Sequence, residues 1–163
     1  LHYPLRRQRQ MCIRDRLRDD LEVAVRAAQT AYETATHEEN IAENKYDTLG
    51  LEASYLAAGQ ARRVEEIRQA LGLWQNLSLR PHDPQKGIQI GALLGLEDEN
   101  GHEQWLFLGP DGAGLKVYVV GQLVTVITPR SPLGNSLLGK FEDDEVEIVV
   151  AGARQQFTVT EVR

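Results

Sequence analysis

The sequence predicts an α+β protein in which an antiparallel coiled-coil hairpin precedes a small antiparallel sheet domain with one short helix. Three observations lead to this fold class. Apolar residues recur at coiled-coil spacing over residues 17–74, turn-forming residues fill 75–86, and β-rich runs alternate with turns over 87–163. We therefore expect a hairpin, a linker and a C-terminal domain with these boundaries.

The hairpin is predicted from two apolar series with alternating steps of three and four residues. Such steps place one side chain per turn on the same helix face, so each series predicts one helix. Two helices with a short connection lie antiparallel, and alanines in the facing seams let the backbones approach closely. The first series comprises Leu17, Leu21, Ala24, Ala28, Ala31 and Ala35, and the second comprises Leu49, Ala53, Leu56, Gln60, Val64, Ile67, Leu71 and Trp74.

The predicted sheet domain follows the proline-containing stretch QNLSLRPHDPQKG. Asn100-Gly101 between two β-rich runs is a strong hairpin signal. Ser131 has the side chain of a helix N-cap, with Pro132 at the first helical position and Gly139 at the end of a short helix. The β-rich runs are 88–96, 105–108, 115–120, 123–127, 145–150 and 156–162.

The first sixteen residues are predicted to be a non-native leader. The run RRQRQMCIRDR, residues 6–16, is similar to an in-frame translation of a sequencing-library transposase adapter. Residues 1–16 are therefore set aside from the predicted fold, as an expression scar would be. The alternative is a basic arm that contacts RNA or a membrane.

The composition excludes several classes of protein. The formal net charge is −6 although five of the 18 basic residues lie in the leader, so the remaining chain is a poor general ligand for nucleic acid. No run approaches the ~18 apolar residues of a membrane span, and no secretory signal is visible, so we expect a cytoplasmic protein without a membrane partner. Cys12 is the only cysteine and the four histidines lack metal-ligand spacing, which predicts no cofactor of its own.

Two groups of residues are candidates for function. The connection between the helices carries four acids within ten residues: Glu38, Glu39, Glu43 and Asp47. Considered alone, such acids most often solvate a hairpin tip. Trp105, Phe107 and Tyr118 are candidates for an apolar ligand groove, although aromatic residues at strand positions are more often core. No catalytic triad or phosphate-binding loop accompanies them, so a self-contained enzyme is not expected.

Three segments carry a resemblance to a known family. The segment SPLGNSLLGKFEDDEVEI, residues 131–148, is similar to the signature of the C-terminal domain of Gre factors, the bacterial transcription elongation factors. Residues 94–110 resemble the opening hairpin of that domain. HEENIAENKYDTLGLEA, residues 37–53, resembles the tip of the Gre coiled coil, in which an acid precedes a Glu-Asn pair.

The resemblance implies a C-terminal FKBP-like domain that docks on RNA polymerase at its secondary channel. The residues it assigns to docking are Ser131, Pro132, Leu133, Gly134 and Lys140. It also implies that the tip acids Glu39 and Glu43 reach the polymerase active site and share its Mg²⁺ near the nascent RNA 3′ end. There they would stimulate the polymerase's own cleavage of backtracked RNA, so the protein is a cofactor protein and not an enzyme. DNA would be contacted only indirectly.

One residue departs from the family pattern. The family has an Asp three residues before the Glu of the Glu-Asn pair, whereas this chain has Asn40 three residues before Glu43. An amide accepts hydrogen bonds but brings no charge to a metal site. One alternative that therefore stays open is a non-cleaving Gre-like competitor that occupies the polymerase channel. A separate alternative, independent of Asn40, is an FKBP-like prolyl isomerase or chaperone.

Overall fold

The computed structural model describes residues 2–37 and 48–163, which form two compact units. One unit is residues 15–72, and the other combines the residues up to Arg14 with residues 73–163. The helices are α1 (His2–Thr36), α2 (Leu49–Asn76) and α3 (Pro132–Leu137). The strands are β1 (Leu93–Asp98), β2 (Glu103–Leu108), β3 (Lys116–Val119), β4 (Gln122–Ile127), β5 (Glu145–Val150) and β6 (Ala153–Val162).

The unit of residues 15–72 is the predicted helical hairpin. All six seam positions of α1 are buried or partly buried, as the three-and-four spacing predicted. In α2 the prediction is wrong at Leu56, which is 56% exposed, while Ala57 is partly buried in its place. The observed seam steps from Ala53 to Ala57 to Gln60, which keeps the register that continues to Val64. The prediction chose Leu56 because its side chain is larger and more apolar than that of Ala57, and so placed this seam position one residue too early.

Helix α1 is longer than the sequence predicted. It spans 35 residues from His2 instead of about twenty from Leu17, so most of the predicted leader is helical. Pro4 lies in the first turn, where a missing backbone N–H breaks no helical hydrogen bond. Gln10 and Ile13 are buried and continue the seam in phase with Leu17. The non-native origin of residues 1–16 stays a prediction.

The sheet has six strands in the order β3-β4-β2-β1-β6-β5. Every neighbouring pair is antiparallel except β2 and β4, which are parallel, so the sheet is mixed and not purely antiparallel as predicted. The difference arises because β4, not β3, lies beside β2. The two strands β3 and β4 still form a hairpin, with positive φ at Val120 and Gly121 in its two-residue turn.

The core lies on both faces of the central strands. Leu94 and Leu106 are buried in the main cluster on one face, where Leu137 of α3 packs with them. Leu93 and Phe107, which alternate with them along β1 and β2, are also fully buried. The ring of Trp74, at the end of α2, lies 5.3 Å from that of Phe107. The end of α2 therefore contributes to the core of the sheet unit.

Candidate functional site

Helix α3 begins with the N-cap that the sequence predicted. Ser131 is extended, with φ −81° and ψ 152°, and its Oγ accepts a hydrogen bond from the backbone N–H of Gly134 at 3.1 Å. The same hydroxyl donates to the carbonyl of Thr128 at 2.9 Å. Pro132 occupies the first helical position, where its fixed φ suits the helix and its missing N–H leaves no unsatisfied donor. The start of the predicted docking segment is thus fixed by local contacts.

Gly134 lies where no larger residue fits. A Cβ at this position would overlap the carbonyl oxygen of Thr128 and lie 2.6 Å from the Thr128 carbonyl carbon. Thr128 is itself 2% exposed, so it has little room to move away. The close approach of the two backbones explains why glycine occurs in the SPLG part of the motif.

The other end of α3 is held by the segment that precedes β1. Ile88 N–H donates to the Lys140 carbonyl and Gly139 N–H donates to the Ile88 carbonyl, both at 2.8 Å. Leu133 is partly buried against the main core cluster, whereas Pro132 is exposed and the Lys140 side chain is half-buried. The five residues assigned to docking therefore lie on one continuous segment that is fixed at both ends.

The solvent-facing part of this region includes three apolar side chains among polar ones. Leu138 is 40% exposed and Phe141 is 43% exposed, and Pro132 is exposed on the same short segment. Large apolar side chains that remain accessible beside a fixed backbone are typical of surfaces that bind another macromolecule.

A second arrangement near α3 was not predicted from the sequence. The indole Nε1 of Trp74 donates to the backbone carbonyl of Asp111 at 2.9 Å, and Trp74 is fully buried. The Asp111 carboxylate accepts a hydrogen bond from Gly112 N–H and forms an ion pair with the Arg130 guanidinium, each at 2.7 Å. Sequence reasoning assigned Trp74 to the coiled-coil seam and no role to Asp111. The only signal was the glycine-rich GPDGAG composition of the loop.

The three aromatic residues considered for a ligand groove do not converge. Phe107 is fully buried beside Trp74, as expected of a core residue. Trp105 is partly buried, with the Arg163 guanidinium 4.9 Å from its ring centroid. Tyr118 is 75% exposed, so it is not a core residue, because on the edge strand β3 it alternates with buried Val117 and Val119. Their placement does not support an isomerase-like groove.

The tip acids Glu39 and Glu43 lie outside the described residues, as do Glu38, Asn40 and Asp47. Their role stays a prediction from the sequence. Within residues 2–37 and 48–163, no group of three or more His, Cys, Asp or Glu side chains is placed to hold a metal ion. None of the helices in that part of the chain is long and apolar enough to cross a membrane.

Comparison with known proteins supports the motif-based resemblance. Over 103 residues, 62% of this chain, the sequence is 28% identical to the transcription elongation factor GreA of Halorhodospira halophila (strain DSM 244 / SL1). The chain is therefore similar in sequence to a GreA-type elongation factor. The match spans 61% of the length of that relative, which is less than two thirds. No protein-family model matches the chain.

Solved structures of Gre-related proteins show weaker similarity to this chain. The GreA factor homolog Gfh1 of Thermus thermophilus is 20% identical, with coverage of 92% of this chain and 94% of that one and a TM-score of 0.37. Gfh1 of Thermus aquaticus is also 20% identical, with coverage of 91% of this chain and 92% of that one and a TM-score of 0.38. The transcription elongation factor GreA/GreB of Nitrosomonas europaea is 20% identical, with coverage of 63% of this chain and 90% of that one and a TM-score of 0.37. These TM-scores do not establish a shared arrangement, so the fold class rests on the helices and strands described above.

Proposed function

We propose that this chain is a transcription elongation factor that docks on RNA polymerase at the secondary channel through α3 and its flanking residues. The observation that carries the proposal is the sequence similarity to GreA, together with a docking motif whose backbone is fixed at both ends. The protein would act in the cytoplasm, where bacterial polymerase works.

The α3 region has the physical properties that docking requires. The N-cap of Ser131 and the backbone pairing of Ile88 with Lys140 order the segment before any partner binds. Binding therefore does not have to order this loop, and less conformational entropy is lost on association. The exposed side chains of Pro132, Leu138 and Phe141 provide apolar area, and the half-buried Lys140 adds a positive charge beside it.

The tip acids would act at the polymerase active site and not on their own. Glu39 and Glu43 provide carboxylate oxygens, which are the ligands that Mg²⁺ prefers in proteins. When bound, Mg²⁺ activates water and stabilises the charge that develops on a phosphate under attack. In this proposal the two glutamates help to hold the ion near the nascent RNA 3′ end, and the polymerase supplies the remaining catalytic groups.

The test uses purified bacterial polymerase stalled in a backtracked complex, with the full-length chain added. We expect faster cleavage of the displaced RNA and protection of the complex from a known secondary-channel ligand. Replacing Glu39 and Glu43 together by Gln should reduce cleavage at least ~100-fold, since several kcal/mol of charge stabilisation are removed from the reaction. Binding should persist in this variant, because α3 is unchanged. Glu65→Gln on exposed α2 is the matched control.

Two outcomes of this test would contradict the proposal. Absence of binding by the wild-type chain would overturn the docking assignment. A double Gln variant that cleaves no more slowly than Glu65→Gln would show that the acids only solvate a turn. Each result addresses one half of the proposed function.

A non-cleaving competitor is the second candidate, and Asn40 is the residue that favours it. With an amide three positions before Glu43, one negative charge of the family pattern is missing from the tip. Such a protein would occupy the channel and displace other ligands without stimulating cleavage. Asn40→Asp should then create cleavage activity, whereas in a cleavage factor it should only increase an activity already present.

A further inference from the structure

The contacts between the end of α2 and the start of α3 form a continuous series through one loop, residues 109–112. Trp74, near the end of α2, is fully buried and donates its indole N–H to the Asp111 carbonyl at 2.9 Å. Gly109 N–H donates to the Ile127 carbonyl at 2.8 Å. The loop is thus bound on one side to α2 and on the other to the strand that leads into α3.

The loop fits closely around the Trp74 indole. A Cβ on Gly109 would overlap Cζ2 of Trp74, lie 2.9 Å from Cη2 and lie 3.2 Å from Cγ1 of Val126. Only glycine is compatible with this approach, because the indole and Val126 are both fully buried. The position of Asp111 is therefore set by buried packing and not only by surface contacts.

Asp111 connects this loop to the docking segment. Its Oδ1 accepts the Gly112 N–H and the Arg130 guanidinium, both at 2.7 Å, and its side chain is 27% exposed. Arg130 directly precedes the N-cap Ser131 and keeps a side-chain exposure of 71%. One guanidinium nitrogen is engaged with Asp111, and the exposure of the side chain leaves other N–H groups accessible to a partner.

We propose that Asp111 is a positioning residue for polymerase docking: it holds Arg130 beside Ser131 and Pro132, so that the guanidinium contacts an acidic or carbonyl group of the polymerase. This inference rests on the proposed function. Asp111 does not touch the partner itself, and its effect on binding passes through Arg130. The role differs from that of the motif residues 131–140, because Asp111 lies 19 residues before Arg130 in the chain.

The variants that test this role are Asp111→Asn, Arg130→Gln and their combination. Asn keeps an oxygen to accept the Gly112 N–H but loses the charge that holds Arg130. Asp83→Asn is a matched control, because Asp83 also accepts a backbone N–H, from Gln85 at 2.9 Å, and pairs with an exposed cation, Lys86, at 3.9 Å.

Affinity of the full-length chain for purified polymerase would be measured by competition with a labelled wild-type chain. We expect Asp111→Asn to weaken binding about fivefold, the change that ~1 kcal/mol gives, and Asp83→Asn to leave it unchanged. In the Arg130→Gln background the further change to Asn should have no effect, since the residue it restrains is absent. Tryptophan fluorescence during urea unfolding gives the folded fraction of every variant.

Four results would overturn the inference. If the Asp111→Asn protein binds polymerase like the wild type, the ion pair does not position Arg130 for binding. The docking assignment itself would then stand. Equal weakening by Asp111→Asn with and without Arg130 would show that Asp111 acts by another route. A loss of binding that matches a loss of folded protein would make Asp111 a structural residue. If the wild-type chain did not bind polymerase, the proposed function would fail and this inference with it.

Discussion

Replacing Gly134 by Ala tests how the docking segment is built. The added methyl would lie 2.6 Å from the Thr128 carbonyl carbon and overlap its oxygen, so the two backbones must separate by about 1 Å to reach ordinary contact. Thr128 is buried and belongs to the turn that leads out of β4. The strain cannot be relieved by rotating a flexible side chain, because both colliding groups are main chain.

The expected effect follows from the bonds that this separation disturbs. The Thr128 carbonyl accepts Ser131 N–H at 3.1 Å and the Ser131 hydroxyl at 2.9 Å, and that hydroxyl caps Gly134 N–H. Loss of the cap is worth about 1 kcal/mol, and overpacking adds ~1–3 kcal/mol. We therefore expect Gly134→Ala to lower the free energy of unfolding by about 2–4 kcal/mol.

Urea unfolding followed by tryptophan fluorescence measures this change. The chain has two tryptophans, Trp74 and Trp105, and both lie in the unit that contains α3. Gly59→Ala is the control for adding a methyl without a clash, since a Cβ at Gly59 meets nothing within 4 Å, and it should not lower the free energy of unfolding. A Gly134→Ala protein that unfolds at the wild-type urea concentration, with an unchanged m-value, would refute the account of this close approach.

Four further substitutions test other parts of the molecule. Gly59→Ala and Gly72→Ala should each raise the stability of the hairpin by ~0.5–1 kcal/mol, seen as later loss of helical circular dichroism on heating, because both glycines lie inside α2 with open space around them. Arg9→Met should stabilise the sheet unit by about 1 kcal/mol in urea unfolding, because Arg9 is 3% exposed, its Nε has no hydrogen-bond partner, and burial followed by the nearby charge of Arg163 lowers its pKa. Hydrogen bonds to the Asp98 carboxylate, chiefly from the His102 backbone N–H, lower its pKa in the folded protein. The ionised carboxylate therefore stabilises the fold above the pKa of the unfolded chain, about 3.9, and this stabilisation is lost as the pH falls through the lower pKa of the folded protein. Asp98→Asn should thus be less stable than wild type at neutral pH, with the difference in urea midpoint closing in acid.

The features that the sequence predicted best depend on neighbouring residues. The N-cap of α3 involves Ser131, Pro132 and Gly134 within four positions, so the pattern contains nearly all the chemistry. The α1 seam was predicted at every position for a similar reason, since its spacing is a property of one helix. At Leu56 the same method failed, because the choice between neighbouring residues depends on the phase of the whole α2 seam and not on which residue is more apolar.

The parallel pairing of β2 with β4 was beyond such reasoning. The runs that became β3 and β4 were both predicted, but not their pairing. Which of the two pairs with β2 depends on side chains from several elements, and either choice leaves the local pattern of β3 unchanged. The length of α1 was missed for a different reason. Residues 1–16 were set aside because of their apparent origin, yet Gln10 and Ile13 continue the seam whatever that origin is.

The residues of the candidate site were likewise predicted where they are contiguous in the sequence and missed where they are distant from one another. Docking by α3 was inferred from a contiguous motif. Asp111, in contrast, contacts Trp74, which lies 37 positions before it, and Arg130, which lies 19 positions after it. A contact of that kind leaves no periodic trace in one sequence, because each partner looks ordinary among its own neighbours. Trp74 fits a coiled-coil seam and Asp111 fits a turn, so only their three-dimensional meeting reveals that they act together. If Asp111→Asn weakens polymerase binding only when Arg130 is present, the docking surface extends beyond the motif that first indicated it.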